Sequence, residues 1–405
     1  MTSTPARPKQ TGVSLTQDAW RRLRRSWPAM TALWTLVVVV VLAFFTPLLP
    51  LQPPDADNTP LMFAEPTLSP LWVDTFDFDP ALIEAGQELM PEARERLRAA
   101  RRQFRAAESP TEDEAEALYR ELAQARAGVS ALVQRPYADA GYPRLDPLAR
   151  WMVRARHAAF GEWQVNSVWG RDKLGRDILS RVFWGARVSL IVGFVATLVS
   201  LVIGVTYGAV SGYAGGWVDD AMMRVVDVLY SIPFVFLVIF IISVLSEDSV
   251  KERLATYGID RITIFYFVVG AIYWLTMARV VRGQVISLRN EQYIEAARSL
   301  GVSRAAIVFR HLVPNLLSIV LVYLTLTIPR VILFEAFLSF LGLGVEPPDV
   351  SWGLLANEGI QVITPVKTYW WLIVFPSLAI GVTLFALNFL GDGLRDAFDP
   401  RMKGR

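Results

Sequence analysis

The sequence predicts an all-α membrane protein with six transmembrane helices and a long extracytoplasmic segment between the first two. Of its 405 residues, 53% are hydrophobic and only 19% charged, where a soluble domain carries about 25% charged residues. Six stretches approach the roughly 20 apolar residues that a helix needs to cross a hydrocarbon core about 30 Å thick. Residues 50–184 form one hydrophilic block, far longer than a helix connection requires.

Composition also removes whole classes of function. A mean hydropathy of +0.36 with 13 Trp and 22 Phe excludes a disordered chain. A net charge of +2, from 40 basic and 38 acidic residues, provides no field for nucleic acid. Without cysteine there is no disulfide, thiol nucleophile or thiolate zinc site, and His157 and His311 alone exclude a multi-histidine metal centre.

Residues 1–28 read as a cytoplasmic tail containing Arg21, Arg22, Arg24 and Arg25, and residues 29–49 as the first transmembrane helix. That run is charge-free from Met30 to Leu49, too long for a signal peptide, and is followed by Pro47, Pro50, Pro53 and Pro54 rather than by a small-residue cleavage site.

Within residues 50–184, a helical hairpin is expected over about 81–134. Leu82, Gly86, Leu89, Ala93, Leu97, Ala100 and Phe104 recur at spacings of three and four, the mark of one apolar helix face. A second stripe runs through Ala115, Leu118, Leu122, Ala125, Val129 and Leu132. Its helix is expected to open at Ser109, with Pro110 at the first position and Glu112 completing a capping box. The hairpin reads as a spacer or lid, or as a docking surface for an extracytoplasmic partner.

Residues 185–396 hold the other five spans, expected at about 187–219, 227–247, 262–279, 314–340 and 368–391, before a cytoplasmic C-terminal tail, 397–405. With a cytoplasmic N-terminus, the inner tails and short loops hold seventeen Lys and Arg and the outer short loops four, namely Lys251, Arg253, Arg261 and Lys367. The positive-inside rule therefore puts both termini in the cytoplasm, with a bacterial inner membrane the natural setting. Gly204, Gly208 and Gly212 form a small-residue ridge suited to close helix packing.

Ionisable residues in the spans are functional suspects. Asp227, Arg330 and Glu335 are candidates to line a pathway. Arg330 is expected about 22 Å into its span and Glu335 at the outer surface. Arg279 and Arg282 read as interface anchors, and Trp370 and Trp371 as headgroup-level aromatics.

The stretch NEQYIEAARSLGVSRAAIVFRHLVPN, residues 290–315, faces the cytoplasm in this topology. Asn290 is suited to cap a short helix, Gly301 to a left-handed stop, Ser303 to a second cap, and Pro314 to restarting the chain as the fifth span. Small Ala296 and Ala297 allow another protein to approach closely, while Glu295 and Arg298 orient it by charge.

This stretch resembles the cytoplasmic coupling loop of binding-protein-dependent ABC importer permeases. Glu295, Ala296, Ala297, Gly301 and Pro314 match that pattern at the required spacing, whereas its Ile and Leu positions hold His311 and Val313. Four more stretches, GRDKLGRDILSRVFWGARVSL, MRVVDVLYSIP, EAFLSFLGLGVEPPDVSWGLLANEG and FPSLAIGVTLFALNFLGDGLRDAFDPR, resemble the dipeptide, oligopeptide and nickel permease group, specifically its C-type subunit. The block around 81–134 departs from the shorter loop usual there.

The resemblance implies the type I ABC importer permease fold and transport of peptides. It also implies a second homologous permease subunit, two cytoplasmic ATPases carrying ATP and Mg, and an external solute-binding protein. Glu295, Ala296, Ala297, Arg298, Gly301 and Pro314 would then contact the ATPases. This chain has no GxxxxGK[ST] phosphate loop, so hydrolysis is expected on partners, with no cofactor, catalytic residue or metal in this subunit. The alternatives are the same machinery carrying nickel or another small solute, an ion-coupled secondary transporter, and a membrane enzyme using Asp172 and Asp177. Those two aspartates belong to a repeated GRD and are read as structural or gating residues.

Overall fold

In a computed structural model of the chain, which describes residues 15–107, 111–245, 261–345 and 347–398 with 247, 250 and 254, every long element is a helix. Helix α1 (Leu15–Arg25) and helix α2 (Trp27–Phe45) are divided at Ser26, whose side chain accepts the Ala29 N–H while Pro28 occupies the first turn of α2. The expected N-terminal tail thus contains a helix, seated by Ala19 and Leu23 against Ala29 and Ala397.

Helices α3 (Ala81–Ala106) and α4 (Glu112–Asp139) pack along one another, with Phe104 edge-on to Tyr119 at 5.0 Å. The capping box lies on Thr111 and Glu114 rather than two residues earlier. Both spacings satisfy the same motif, so the pattern alone does not choose between them; Ser109 and Pro110 lie outside the described residues. Leu89, expected on the buried stripe, is 52% exposed. Helix α5 (Pro147–Phe160) is capped by Asp146, and Gln134 of α4 exchanges two hydrogen bonds with the Leu145 backbone just before it. A two-residue ladder, β1 (Trp72–Val73) with β2 (Gln164–Val165), closes this region.

Helix α6 (Ile178–Ala214) starts well before the expected residue 187. The apolar scan stops at Arg181 and Arg187, but Arg181 is 1% exposed and ion-paired, so its charge does not end the helix. After Gly215 and Gly216, both at positive φ, come α7 (Gly216–Ser231) and α8 (Phe234–Leu245), which meet at 87°. The expected span over 227–247 thus begins inside α7 and is broken at Ile232 and Pro233. Pro233 supplies no N–H and disfavours a helical Ile232, which is extended at φ −78°, ψ 127°.

Helix α9 (Arg261–Leu288) bends by 41° and packs along α6 over the most extensive interface in the chain. Helix α10 (Gln292–Ser299) and helix α11 (Arg304–Ala306) lead through a π-helical segment, Ile307–Leu312, into α12 (Val313–Phe340). Pro314 therefore does not restart the chain: Arg304–Phe340 runs as one helical stretch. Proline is tolerated near the widened turn because its missing N–H removes a bond that the π register has already displaced. Helices α13 (Trp352–Gln361) and α14 (Trp371–Phe398) complete the fold.

Among the described residues, four helical stretches are long and apolar enough to cross a membrane, and six if the bent pair α7–α8 and the two arms of α9 each count as one. The described residues thus form an all-α fold with four to six candidate spans.

Candidate functional site

Helix α10 has two unlike faces. Ile294, with no exposed surface, and Ala297 are sealed into a cluster with Ala209 of α6, Met277, Val281 and Val285 of α9, and Ile307, Val308 and Leu312 of the π segment. The other face is open: Glu295, Ala296 and Arg298 are exposed, and Leu300, just past the helix, is 83% exposed. The expected cap shifts by one residue, since the N-cap is Glu291 rather than Asn290. Gly301 does adopt the left-handed stop, at φ +76°, with open space where a Cβ would lie. Ser303 caps α11 by accepting the Ala306 N–H at 3.3 Å.

The seat is held from below. Arg289 donates to the Gly212 carbonyl at 3.0 Å, and Arg298 donates to the Arg289 carbonyl at 3.2 Å and lies over the Tyr213 ring at 5.2 Å. Asn315 donates to the His311 carbonyl at 2.6 Å, and Pro314 is exposed beside it. Burial, then repulsion from Glu291, pushes the Tyr293 hydroxyl above the usual tyrosine range. A lever needs this arrangement: one face that cannot slip on its own subunit and one that is free. Leu300 is the exposed residue of this free face that sequence reading missed, because a lone leucine beside a glycine carries no periodic signal.

The three pathway candidates separate. Arg330 is exposed, and its carbonyl accepts the Tyr273 hydroxyl at 3.2 Å. Asp227 is exposed and ion-paired to Arg279 at 2.8 Å. Glu335 is fully enclosed by protein, accepting from Ser339 at 2.7 Å and from Ser189 at 3.3 Å. Arg282 likewise is more than an anchor, donating twice to Asp219 at 2.6 and 2.7 Å. Trp371 is buried, its ring N–H donating to the Arg171 carbonyl at 3.1 Å.

A second constellation sits at the opposite end of α6 and joins three segments that are distant in sequence. Asp172 accepts from Arg176 Nε at 2.8 Å and from Arg181 at 2.6 Å. Arg176 reaches Asp55 at 2.7 Å, and Arg181 reaches Glu358 of α13 at 2.6 Å. Burial opposes the Arg176 charge, but the carboxylates of Asp172 and Glu358 prevail and hold its pKa above the ordinary value. At Gly175, φ +77°, a Cβ would collide with the Asn58 backbone, so the GRD turn permits no side chain there. Glu358 was not legible, since nothing local to it distinguishes it from a solvated glutamate.

Asp177 caps α6 through the N–H groups of Leu179 and Ser180 and accepts from Ser167 at 2.6 Å. Burial pushes its carboxyl up to about 6 against these hydrogen bonds. Because the folded pKa exceeds the unfolded one, near 3.9, its contribution to stability is complete below about pH 4 and is lost as pH rises through about 6. Asp177→Asn keeps a capping oxygen and does not titrate. Its melting temperature relative to the unsubstituted chain is expected to rise between pH 4 and pH 7; a difference independent of pH would refute the assignment.

Among the described residues there is no cluster of His, Asp or Glu able to hold a metal. Residues 204–404 match the family model described as binding-protein-dependent transport system inner membrane component, and residues 14–66 match the N-terminal transmembrane domain of oligopeptide transport permease C. The chain is 42% identical over 234 residues to the dipeptide transport system permease protein of Bacillus subtilis, covering 58% of this chain and 68% of that one. It is 46% identical over 232 residues to the oligopeptide transport system permease protein of Escherichia coli K12, covering 57% and 72%. It is 41% identical over 236 residues to a glutathione transport system permease protein of Pectobacterium atrosepticum, covering 58% and 72%.

Proposed function

The chain belongs to the family of binding-protein-dependent transport system inner membrane components, and from that membership we propose that it is the C-type transmembrane subunit of an ATP-driven importer of peptides. The family is one of multi-pass inner-membrane permeases, which hydrolyse nothing themselves. The relatives are named for dipeptide, oligopeptide and glutathione transport, which favours a peptide as cargo over a metal chelate.

The observation that carries the coupling role is the two-faced α10. ATP-driven closure of two cytoplasmic ATPases moves the docked helix, and its sealed face passes that motion to α6, α9 and α12. The ligand-biased element is thus a set of packed helices with two arrangements. Glu295, Ala296, Arg298, Leu300 and Gly301 contact the ATPase, Ala297 fixes the helix to its own subunit, and Pro314 marks the exit. A homologous permease subunit completes the pathway, and an external binding protein delivers solute. Both termini then face the cytoplasm and α3 and α4 form an extracytoplasmic hairpin, consistent with the distribution of Lys and Arg. Arg330, the exposed cation of α12, faces the pathway and meets the peptide carboxylate, while Glu335 positions helices.

Glu295→Lys reverses the charge of the free face, and Gly301→Asp strains the left-handed stop by about 1 kcal/mol. Each is expected to leave the protein in the membrane while lowering ATPase co-purification and peptide uptake at least tenfold. Normal ATPase content together with normal uptake in both variants would remove α10 as the lever.

A further inference from the structure

We propose that the groove between α2 and α14 seats an anionic phospholipid, one acyl chain lying between the helices and the phosphate resting on the arginines of α1. The groove encloses about 930 Å³ between Trp27, Thr31 and Thr35 of α2 and Leu378, Gly381 and Phe385 of α14. Its two threonines are spent within their own helix: Thr31 donates to the Trp27 and Pro28 carbonyls, and Thr35 to that of Thr31. The remaining lining is mostly hydrocarbon, from Leu378, Val382 and Phe385 among others, with the Ser377 hydroxyl and the Trp27 indole N–H as its other polar groups. Gly381 leaves its floor open, with nothing within 4 Å of where a Cβ would stand.

Helix α1 sits at one end of this groove. Its apolar side is buried on α2 and α14 through Ala19 and Leu23, and Arg21, Arg24 and Arg25 are exposed. Arg25 precedes the groove residue Trp27 by two positions. The Arg24 guanidinium lies 4.9 Å over the Trp20 ring, and Trp20 and Trp27 are both exposed, as aromatics at headgroup depth are. No carboxylate among the described residues pairs with Arg21, Arg24 or Arg25.

Charge decides the occupant. Exchanging one acyl chain for another gains little in a bilayer, because lipid tails are as apolar as the helix surface. Selection must come from the headgroup, and a basic amphipathic helix flanking a span is complementary to an anionic one. A zwitterionic headgroup would bring its own cation against the same arginines.

Native mass spectrometry of the full chain, released from detergent micelles holding equal phosphatidylglycerol and phosphatidylcholine of matched acyl chains, tests this. Phosphatidylglycerol is expected to be retained about tenfold over phosphatidylcholine. The Arg21→Gln, Arg24→Gln, Arg25→Gln variant should lose the preference, and the corresponding triple Lys variant should keep it. Gly381→Phe should lose both lipids, and glycerol phosphate without acyl chains should not compete. Equal retention of the two lipids by the unsubstituted chain overturns the headgroup contact. Undiminished retention by Gly381→Phe overturns the groove, and competition by glycerol phosphate reduces the site to a phosphate patch and overturns the lipid. Cross-linking of Thr35→Cys to a second permease subunit in membranes assigns the groove to protein and overturns it too.

Discussion

Arg181→Met is expected to destabilise the chain by about 3–5 kcal/mol, the usual cost of removing one partner from a buried ion pair. Arg181 is 1% exposed, and its guanidinium lies 2.6 Å from both Asp172 and Glu358. Methionine fills much of the same space, so the loss is one of charge. Arg176 remains, but it reaches Glu358 only at 3.4 Å and is already committed to Asp172 and Asp55. Adding Glu358→Gln removes the stranded carboxylate and is expected to recover part of the loss, with a coupling above about 1 kcal/mol. Thermal melting of the purified chain in one detergent provides all four corners of that cycle. A melting point for Arg181→Met within experimental error of the unsubstituted chain would show that the network contributes nothing. Because the network ties α13 to the start of α6, the same variant should loosen that end of the bundle before the α10 end, which hydrogen exchange resolves.

The sequence made most of the membrane-spanning architecture legible, because apolar run length is set by bilayer thickness and needs no tertiary information. It failed where a tertiary contact changes the cost of a charge or a bend. Helix α6 is longer than its apolar run because Arg181 is neutralised by residues far along the chain. The α7–α8 break was readable from Pro233 in principle, but hydropathy averages over it. At the candidate site, Glu295, Ala296, Gly301 and Ser303 were legible because caps and spacings are local. The enclosure of Glu335 was not legible, because the serines that bond it lie 146 residues away in one direction and four in the other. No periodicity reports such a contact.

Gly208→Leu is expected to separate α6 from α9, whereas Gly283→Ala, also on one of these two helices, should stabilise the chain. A Cβ at Gly208 would stand 2.3 Å from the Ala278 carbonyl oxygen, with two further backbone atoms at 3.0 Å. Backbone cannot rotate aside as a side chain can, so the helices must part. Overpacking ordinarily costs about 1–3 kcal/mol, and leucine on a backbone contact lies at or beyond the upper end. At Gly283 nothing stands within 4 Å of a Cβ, and replacing glycine in an exposed helix interior contributes about 0.5–1 kcal/mol. Opposite signs on one helix pair would show that shape rather than residue type governs these positions. The functional consequence follows from where α10 sits. Its buried Ile294 belongs to one core cluster with Val281 and Val285 of α9 and Ala209 of α6, so parting those helices opens the seat through which the proposed coupling would act. Gly208→Leu should therefore lose peptide uptake while any ATPase that still binds hydrolyses ATP without transport. Retained uptake with an unchanged melting point would mean that α6 and α9 do not need to stay this close.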